Sequence, residues 1–397
     1  MAGRLEDRFA YAVAFTDWLA CACAGADTRA ARAVRASGGD LLADVAFAAT
    51  AGHVLDFDDT FAEGVAHVSA ACAPAALMLA ADLGASLAEM LAAYAEGFEA
   101  MAAVARASHP ALYEAGWHPT AVCGPIGAAV ASARLLELSP GQRENAVAVA
   151  LLRAGGTRGA FGSDGKAIQV GLAAAAGVQA ALLARAGASV DQRAVHGRLG
   201  FEGVLGARWP RGDGDGNFGD AARAIERNWI KLYPSCLGTH AAIEAATLAR
   251  ERGYRLDHGP VDVRVHPVAR AAAHIDAVSD GLSAKFSIPY CVAHCFSAGP
   301  PRVRAFNAAD PKIIERSARV RVTVDASLPE FGAVLTVRGE ELACVNSPRG
   351  SPERPVGAPE LADKVSQLAG ERLDGVLADL GAPAAVALDA TRLLSPA

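Results

Sequence analysis

Near residue 255 the hydrophobic period of this chain changes from that of helices to that of strands, which restricts it to folds that join a helical body to a small sheet. Upstream, apolar residues recur three and four positions apart and the segments end at glycines, as in helices packed on one another. This spacing predicts helices over 8–23, 40–54, 74–83, 86–106, 120–136, 140–153, 166–186 and 236–252. Downstream, "PVDVRVHP" (260–267), "ARVRVTVD" (318–325) and "AVLTVRG" (333–339) alternate apolar and polar residues, as half-buried strands do. "LSAKFSIPYCVAHCF" reads as a helix with proline near its start, and "APELADKVSQLAGERLDGVLADL" returns to helix. The expected fold class is mainly α: a large all-α domain over 1–257 and a smaller α+β lid domain over 258–371. A terminal helix over 372–397 is expected to pack back on the first domain.

With 397 residues, 52% of them hydrophobic and 20% charged, the chain can bury a large core and does not read as disordered. Its net charge of −6, with no run of lysine and arginine, argues against a nucleic-acid partner. Small anions stay open, because a few placed lysines and histidines bind them whatever the net charge. The N-terminal segment has no apolar signal core, and no window holds eighteen unbroken apolar residues. No membrane partner and a cytoplasmic location are therefore expected. The eight cysteines form no C-x-x-C pair, and all but Cys236 read as reduced small hydrophobes.

Two decoys fall away. "DGDGNFGD" (213–220) begins like a calcium loop, but Phe218 stands where glycine is required and Ala224 where the closing glutamate is. "GSDGKA" lacks both the earlier glycine, at Ala160, and the metal-binding hydroxyl, at Ala167, of a phosphate loop. No zinc-protease, nucleophile-elbow or dinucleotide motif is present, so neither metal nor cofactor is expected.

The remaining polar clusters do not look like surface. In "HVLDFDDT" (53–60), a helix would place His53, Asp56 and Thr60 on one face, with Asp59 beside Asp56 and Asp58 pointing elsewhere. Alone, such a patch is more often solvated than catalytic. "GWHPTAVCGPIGA" puts His118 before Pro119 at a helix N-terminus, where free N–H groups attract anions. Lys166 falls in the first turn of an apolar helix, where it is disfavoured unless an anion joins it or it snorkels. "KLYPSCLGTHAAIEA" has Lys231 ahead of Pro234, then Cys236 and His240 one turn apart. A first helical turn would lower the Cys236 thiol pKa, although a packed cysteine with a capping-region histidine fits as well. "KFSIPYCVAH" offers Tyr290 one turn before His294.

Five segments, "HVLDFDDT", "GWHPTAVCGPIGA", "GKAIQVGLAAAAGVQAALLA", "KLYPSCLGTHAAIEA" and "KFSIPYCVAH", resemble the MmgE/PrpD family in type and order, over nearly the whole chain. That family includes 2-methylcitrate dehydratases, cis-aconitate decarboxylases and iminodisuccinate epimerases. The resemblance implies a metal-independent homodimeric enzyme acting on a small anionic di- or tricarboxylate, with pocket residues at Asp56, Thr60, His118, Lys166, Lys231 and Tyr290. His67 stands for the histidine that follows the acidic motif, in a loop one residue longer than usual. Gln169 replaces a histidine often found after the lysine, and Cys236 replaces a histidine of the decarboxylases. Thr60, Cys236, His240 and Gln169 are then candidate substrate contacts. His118 or His67 would be the base, Asp56 would fix its tautomer, and Tyr290 or Thr60 would assist the leaving group. The first expectation is a dehydratase-type lyase. An epimerase, a decarboxylase and a non-catalytic carboxylate-binding relative follow.

Overall fold

Glycine and alanine set how closely the helices of the first body approach. In the computed structural model, which describes residues 2–210 and 223–373, that body comprises α1 (Ala2–Gly25), α2 (Leu41–His53), α3 (Val68–Leu83), α4 (Leu87–Ser108), α5 (Pro119–Leu135), α6 (Pro140–Leu151) and α7 (Gly165–Arg185). The loop at 213–220 and, from residue 374 on, the terminal helix expected over 372–397 lie outside the described residues. A Cβ on Gly97 in α4 would stand 2.5 Å from the Gly127 carbonyl oxygen in α5. One on Gly177 in α7 would stand 2.5 Å from that of Pro125. Only glycine lets these backbones meet. α7 is long and apolar enough to cross a bilayer, yet here it packs on α2, α3, α5 and α6.

A two-residue antiparallel pair, β1 (Thr60–Phe61) with β2 (Asn228–Trp229), ties the loop after α2 to the chain entering the second body. There β3 (Val261–Val265) lies parallel to β4 (Val320–Val324) and antiparallel to β5 (Ala333–Val337), which pairs with β6 (Glu340–Val345). Strand β6 is not anticipated by the sequence reading, which takes 333–339 as one run. Arg338 (φ 50) and Gly339 (φ 86) are both left-handed and fold that run into a hairpin.

The structure also redraws what belongs to each body. α8 (His240–Glu251), expected in the all-α domain, packs on β5, β6 and α9 (Ile288–Ala298), and α10 (Pro311–Ser317) packs on α9. Ala242 and Ala246 share a core with Val263 and Leu335. Conversely α11 (Ala358–Ala369), inside the expected lid, packs on α1.

α11 also supports the site from below. Its Lys364 Nζ lies 2.6 Å from Asp17 Oδ1 and donates to the carbonyls of Phe57 (2.7 Å) and Lys231 (2.9 Å). Burial holds the Asp17 carboxyl above its usual pKa even with Lys364 opposing, so loss of the lysine would let it take a proton. Lys364→Met is accordingly expected to cost about 3 kcal/mol, the low end for a broken buried pair, by urea unfolding. Adding Asp17→Asn should recover part of that loss. A Lys364→Met protein as stable as the parent would show that the tie contributes nothing.

Candidate active site

The acidic stretch is a turn, and this reverses the expected directions of its side chains. α2 ends at His53 and Asp56 takes a left-handed backbone (φ 52), so the helical-face argument does not hold. Asp58, expected to point elsewhere, is fully buried: its Oδ2 accepts from Nδ1 of His53 (2.9 Å) and lies 3.1 Å from Nδ1 of His67. Asp59 Oδ2 accepts from Ser69 Oγ (2.8 Å) and Asn228 Nδ2 (2.7 Å). Asp56 Oδ1 is held by Lys231 Nζ at 2.6 Å and Lys166 Nζ at 3.0 Å, with His67 Nε2 at 3.7 Å. None of the three aspartates is solvated.

Burial and these neighbours set the charges. Burial alone would raise the Asp56 pKa, but Lys166 and Lys231 hold it well below the usual range. Burial opposes charge on Lys231, yet Asp56 and Asp58 keep its pKa above ordinary, and it also donates to the carbonyls of Asp56 (3.0 Å) and Ser235 (3.1 Å). Asp58 overcomes its burial through His53 and His67 and stays ionised. Asp59 is pushed up to about 8 by burial, with Asp17 and Asp58 adding to the effect. Burial pulls His67 down to about 3 against the pull of Asp58, with Lys231 and Lys166 assisting. His118 is lowered by burial and Lys166.

Two neutral histidines then adopt opposite tautomers. His67 gives its Nδ1–H to Asp58, which leaves a lone pair on Nε2; Thr60 Oγ1 lies 3.3 Å from the same Nδ1. Gln169 Oε1 accepts from the Thr157 N–H (3.0 Å), which turns its amide nitrogen onto His118 Nδ1 at 2.6 Å. His118 Nδ1 therefore accepts and its Nε2 carries the hydrogen.

Asp56, Thr60, His67, His118, Lys166 and Cys236 line one cavity of about 470 Å³ counting its mouth, with Tyr113, Phe161, Phe286 and Phe331 in its apolar wall. Lys231 stands behind Asp56, and Gln169 behind His118. Two expected residues do not join them. The Tyr290 hydroxyl accepts from the Asp310 N–H (3.0 Å) in the second core. His240 packs on Tyr233, its Nε2 3.3 Å from the Ser235 carbonyl oxygen. Cys236 is present but not activated. α8 starts only at His240, and burial pushes the thiol up to about 11.

The sequence reading missed Asp58 and Lys285. Lys285 Nζ donates to the Leu55 carbonyl, and its pKa falls to about 8 through burial, with Asp56 opposing and Lys166 and Lys231 reinforcing. One signal would have found it. The chain has five lysines, and all but the exposed Lys312 are buried around this site. Lys166, Lys231 and Lys285 face two ionised aspartates, which leaves the cluster a net positive charge for an anion.

His53, Asp58 and His67 bring ligand atoms within 4.8 Å of one another and could hold a metal ion, against the expectation of none. An ion there would have to displace both N–H hydrogens beside two buried ammonium groups, so hydrogen bonding is the better fit.

Models of the MmgE/PrpD N-terminal and C-terminal domains match residues 8–210 and 233–380. The chain belongs to the MmgE/PrpD family. The matched segments part upstream of the boundary expected at 257/258, in line with α8 packing on the sheet. The cis-aconitate decarboxylase-like protein oryM of Aspergillus oryzae (strain ATCC 42149 / RIB 40) is 34% identical over 169 residues, 40% of this chain and 34% of that protein. Human cis-aconitate decarboxylase is 26% identical over 212 residues, 50% of this chain and 42% of its own length. The chain thus matches less than half the length of either relative.

Two outcomes follow from this geometry. Dialysis against a chelator should leave turnover unchanged; loss that zinc or iron restores would place a metal on the histidine–aspartate trio. Asp59 has a folded pKa of about 8, above its unfolded 3.8, so the stability it contributes is complete below 3.8 and lost as pH rises through 8. Asp59→Asn should therefore gain in melting temperature over the parent between pH 5 and pH 8. An equal difference at both pH values would mean that Asp59 is already ionised in the fold.

Proposed function

We propose that this chain is a cofactor-independent lyase that dehydrates a small hydroxy-polycarboxylate such as 2-methylcitrate. The observation that carries the reading is the pair of neutral histidines in opposite tautomers flanking buried ammonium groups. His67 Nε2 is the base that removes a proton next to a carboxylate. The aci-carboxylate that develops gathers negative charge, and Lys166 with the His118 Nε2–H are donors already in place for it. Lys231 fixes Asp56, and Asp56 holds Lys166. Asp58, in place of Asp56, sets the tautomer of the base. Tyr290 lies too deep in the second core to serve the leaving group.

His67 is a weak base in the free protein because burial and two lysines act on it. Bound carboxylates offset the lysines and strengthen the base when substrate is present. A second reading, decarboxylation of a cis-aconitate-like acid, is favoured by the names of the two relatives. It would use the same cations, with a proton delivered to the carbon that loses carbon dioxide. Epimerisation would return the abstracted proton to the other face.

Citrate, 2-methylcitrate, cis-aconitate and iminodisuccinate in deuterated solvent separate these readings. Dehydration raises absorbance from a new double bond, decarboxylation releases gas, and epimerisation exchanges deuterium with neither. A carboxylate-binding protein would do none of these. With the substrate in hand, Asp58→Asn should lower kcat by about 10³-fold or more with KM little changed, as when a histidine base loses the carboxylate that orients it. Near-parental turnover in that variant would remove His67 as the base.

A further inference from the structure

Behind the Asp56–Lys166 pair lies a second, narrow cavity with room for about one water, for which the lyase reading has no use. Asp56, Lys166 and Phe286 belong to both walls, whereas His53, Ser163, Leu282 and Lys285 belong to this one alone. The compartments therefore meet at the Asp56–Lys166 ion pair and the Phe286 ring. Ser163 is exposed and Leu282 half-buried, so the second cavity opens between the approach to α7 and the segment carrying Leu282.

Its polar atoms define the occupant. His53 is 1% exposed and gives its Nδ1–H to Asp58, so its Nε2 presents a lone pair. Neither that atom nor Asp56 Oδ2 has a hydrogen-bond partner among the described residues. Lys285 gives one N–H to Leu55 and keeps others. Two acceptors and two ammonium groups around one small space suit water, which can donate to the former and accept from the latter. A carboxylate would face Asp56 and the histidine lone pair, and an apolar group would strand all four.

We propose that the second cavity is a water-filled proton port that resets Lys166 from the side away from the substrate. The proposal rests on the lyase reading. In the elimination, the substrate C–H bond breaks as His67 Nε2 takes the proton, and its electron pair forms the new double bond. The C–O bond breaks as Lys166 Nζ protonates the departing hydroxyl, which leaves as water. Lys166 is now a neutral amine and His67 an imidazolium, with product still filling the main cavity. A hydronium in the second cavity gives its proton to Lys166, breaking O–H and forming N–H, and His67 returns its proton to solvent as product leaves. Lys285 borders the same water, and its lowered pKa of about 8, caused by burial with Lys166 and Lys231 reinforcing against Asp56, suits it to pass protons near neutrality.

Cyanate, which carbamylates neutral amines, tests the port without any substrate. Burial, with Lys166 and Lys231 reinforcing it, lowers the Lys285 pKa to about 8, so at mildly alkaline pH far more of it is neutral than of an ordinary lysine. Peptide mass spectrometry should find Lys285 labelled at least as fast as exposed Lys312 and far faster than Lys231. Leu282→Trp should slow Lys285 labelling about tenfold or more, as should Ser163→Phe at the mouth if the first variant folds poorly; Ala272→Phe, in the main cavity wall alone, should not. Labelling of Lys285 no faster than Lys231, or equal protection by Ala272→Phe, would mean that no separate opening exists. With substrate, a plugged variant should keep KM while kcat falls and its solvent isotope effect rises. Unchanged kcat in a variant whose Lys285 is shielded overturns the port. If no acid in the panel turns over, the lyase reading fails, and the labelling still decides whether the compartment opens on its own.

Discussion

One carboxylate oxygen, Asp56 Oδ1, holds two lysines that lie 65 residues apart in the chain, and the site is arranged around that contact. Burying three charges is expensive, and mutual attraction offsets the desolvation only when geometry is fixed and further hydrogen bonds are made. The fold supplies both. The left-handed backbone at Asp56 turns its carboxylate inward, and β1 with β2 brings residues 228–231 alongside. Lys364 then fastens the carbonyls of Phe57 and Lys231 from α11. An ion cluster costly to bury is in this way preorganised, and in the proposed lyase its charges need not rearrange when negative charge develops on a substrate.

Asp58 and Gln169 complete that preorganisation through hydrogen bonds. Each reaches one ring nitrogen of a histidine and so decides what the opposite nitrogen offers to the cavity. The consequence is an accepting nitrogen and a donating nitrogen made from the same residue type, distinguished only by the partner behind each ring. Gln169 stands where many family members are expected to carry histidine. Its amide, unlike an imidazole, is pinned by Thr157 into one orientation.

What was legible in the sequence was whatever local pattern determines. Helical and alternating periods located the two bodies, because one face of each element must meet a core. His118 at its proline-marked helix start and Lys166 in a first turn were found for the same reason. The turn at 53–60 was not legible as a turn, since its shape comes from contacts with residues more than a hundred positions away, among them Asn228, Lys231, Lys285 and Lys364. A helical wheel drawn through it therefore put Asp58 on the wrong side. Tyr290 shows the opposite failure: its motif is present, but its hydroxyl is taken up by Asp310 within the second core.

The division of labour between the two basic residues is the deeper pattern. Arginine makes the chain's outward ion pairs, such as Arg321 with Asp262 and Arg264 with Asp325 on the sheet. Lysine is kept, with the exception of Lys312, for buried positions around Asp56. The two are not interchangeable there. A guanidinium stays protonated in any protein environment, whereas a buried ammonium can lose its proton when its neighbours change. At a surface that difference is of no consequence, and exposed pairs contribute little in either case. Under the proposed lyase chemistry that difference matters: arginines could bind a carboxylate, but only lysines could bind one and also pass a proton to what forms from it.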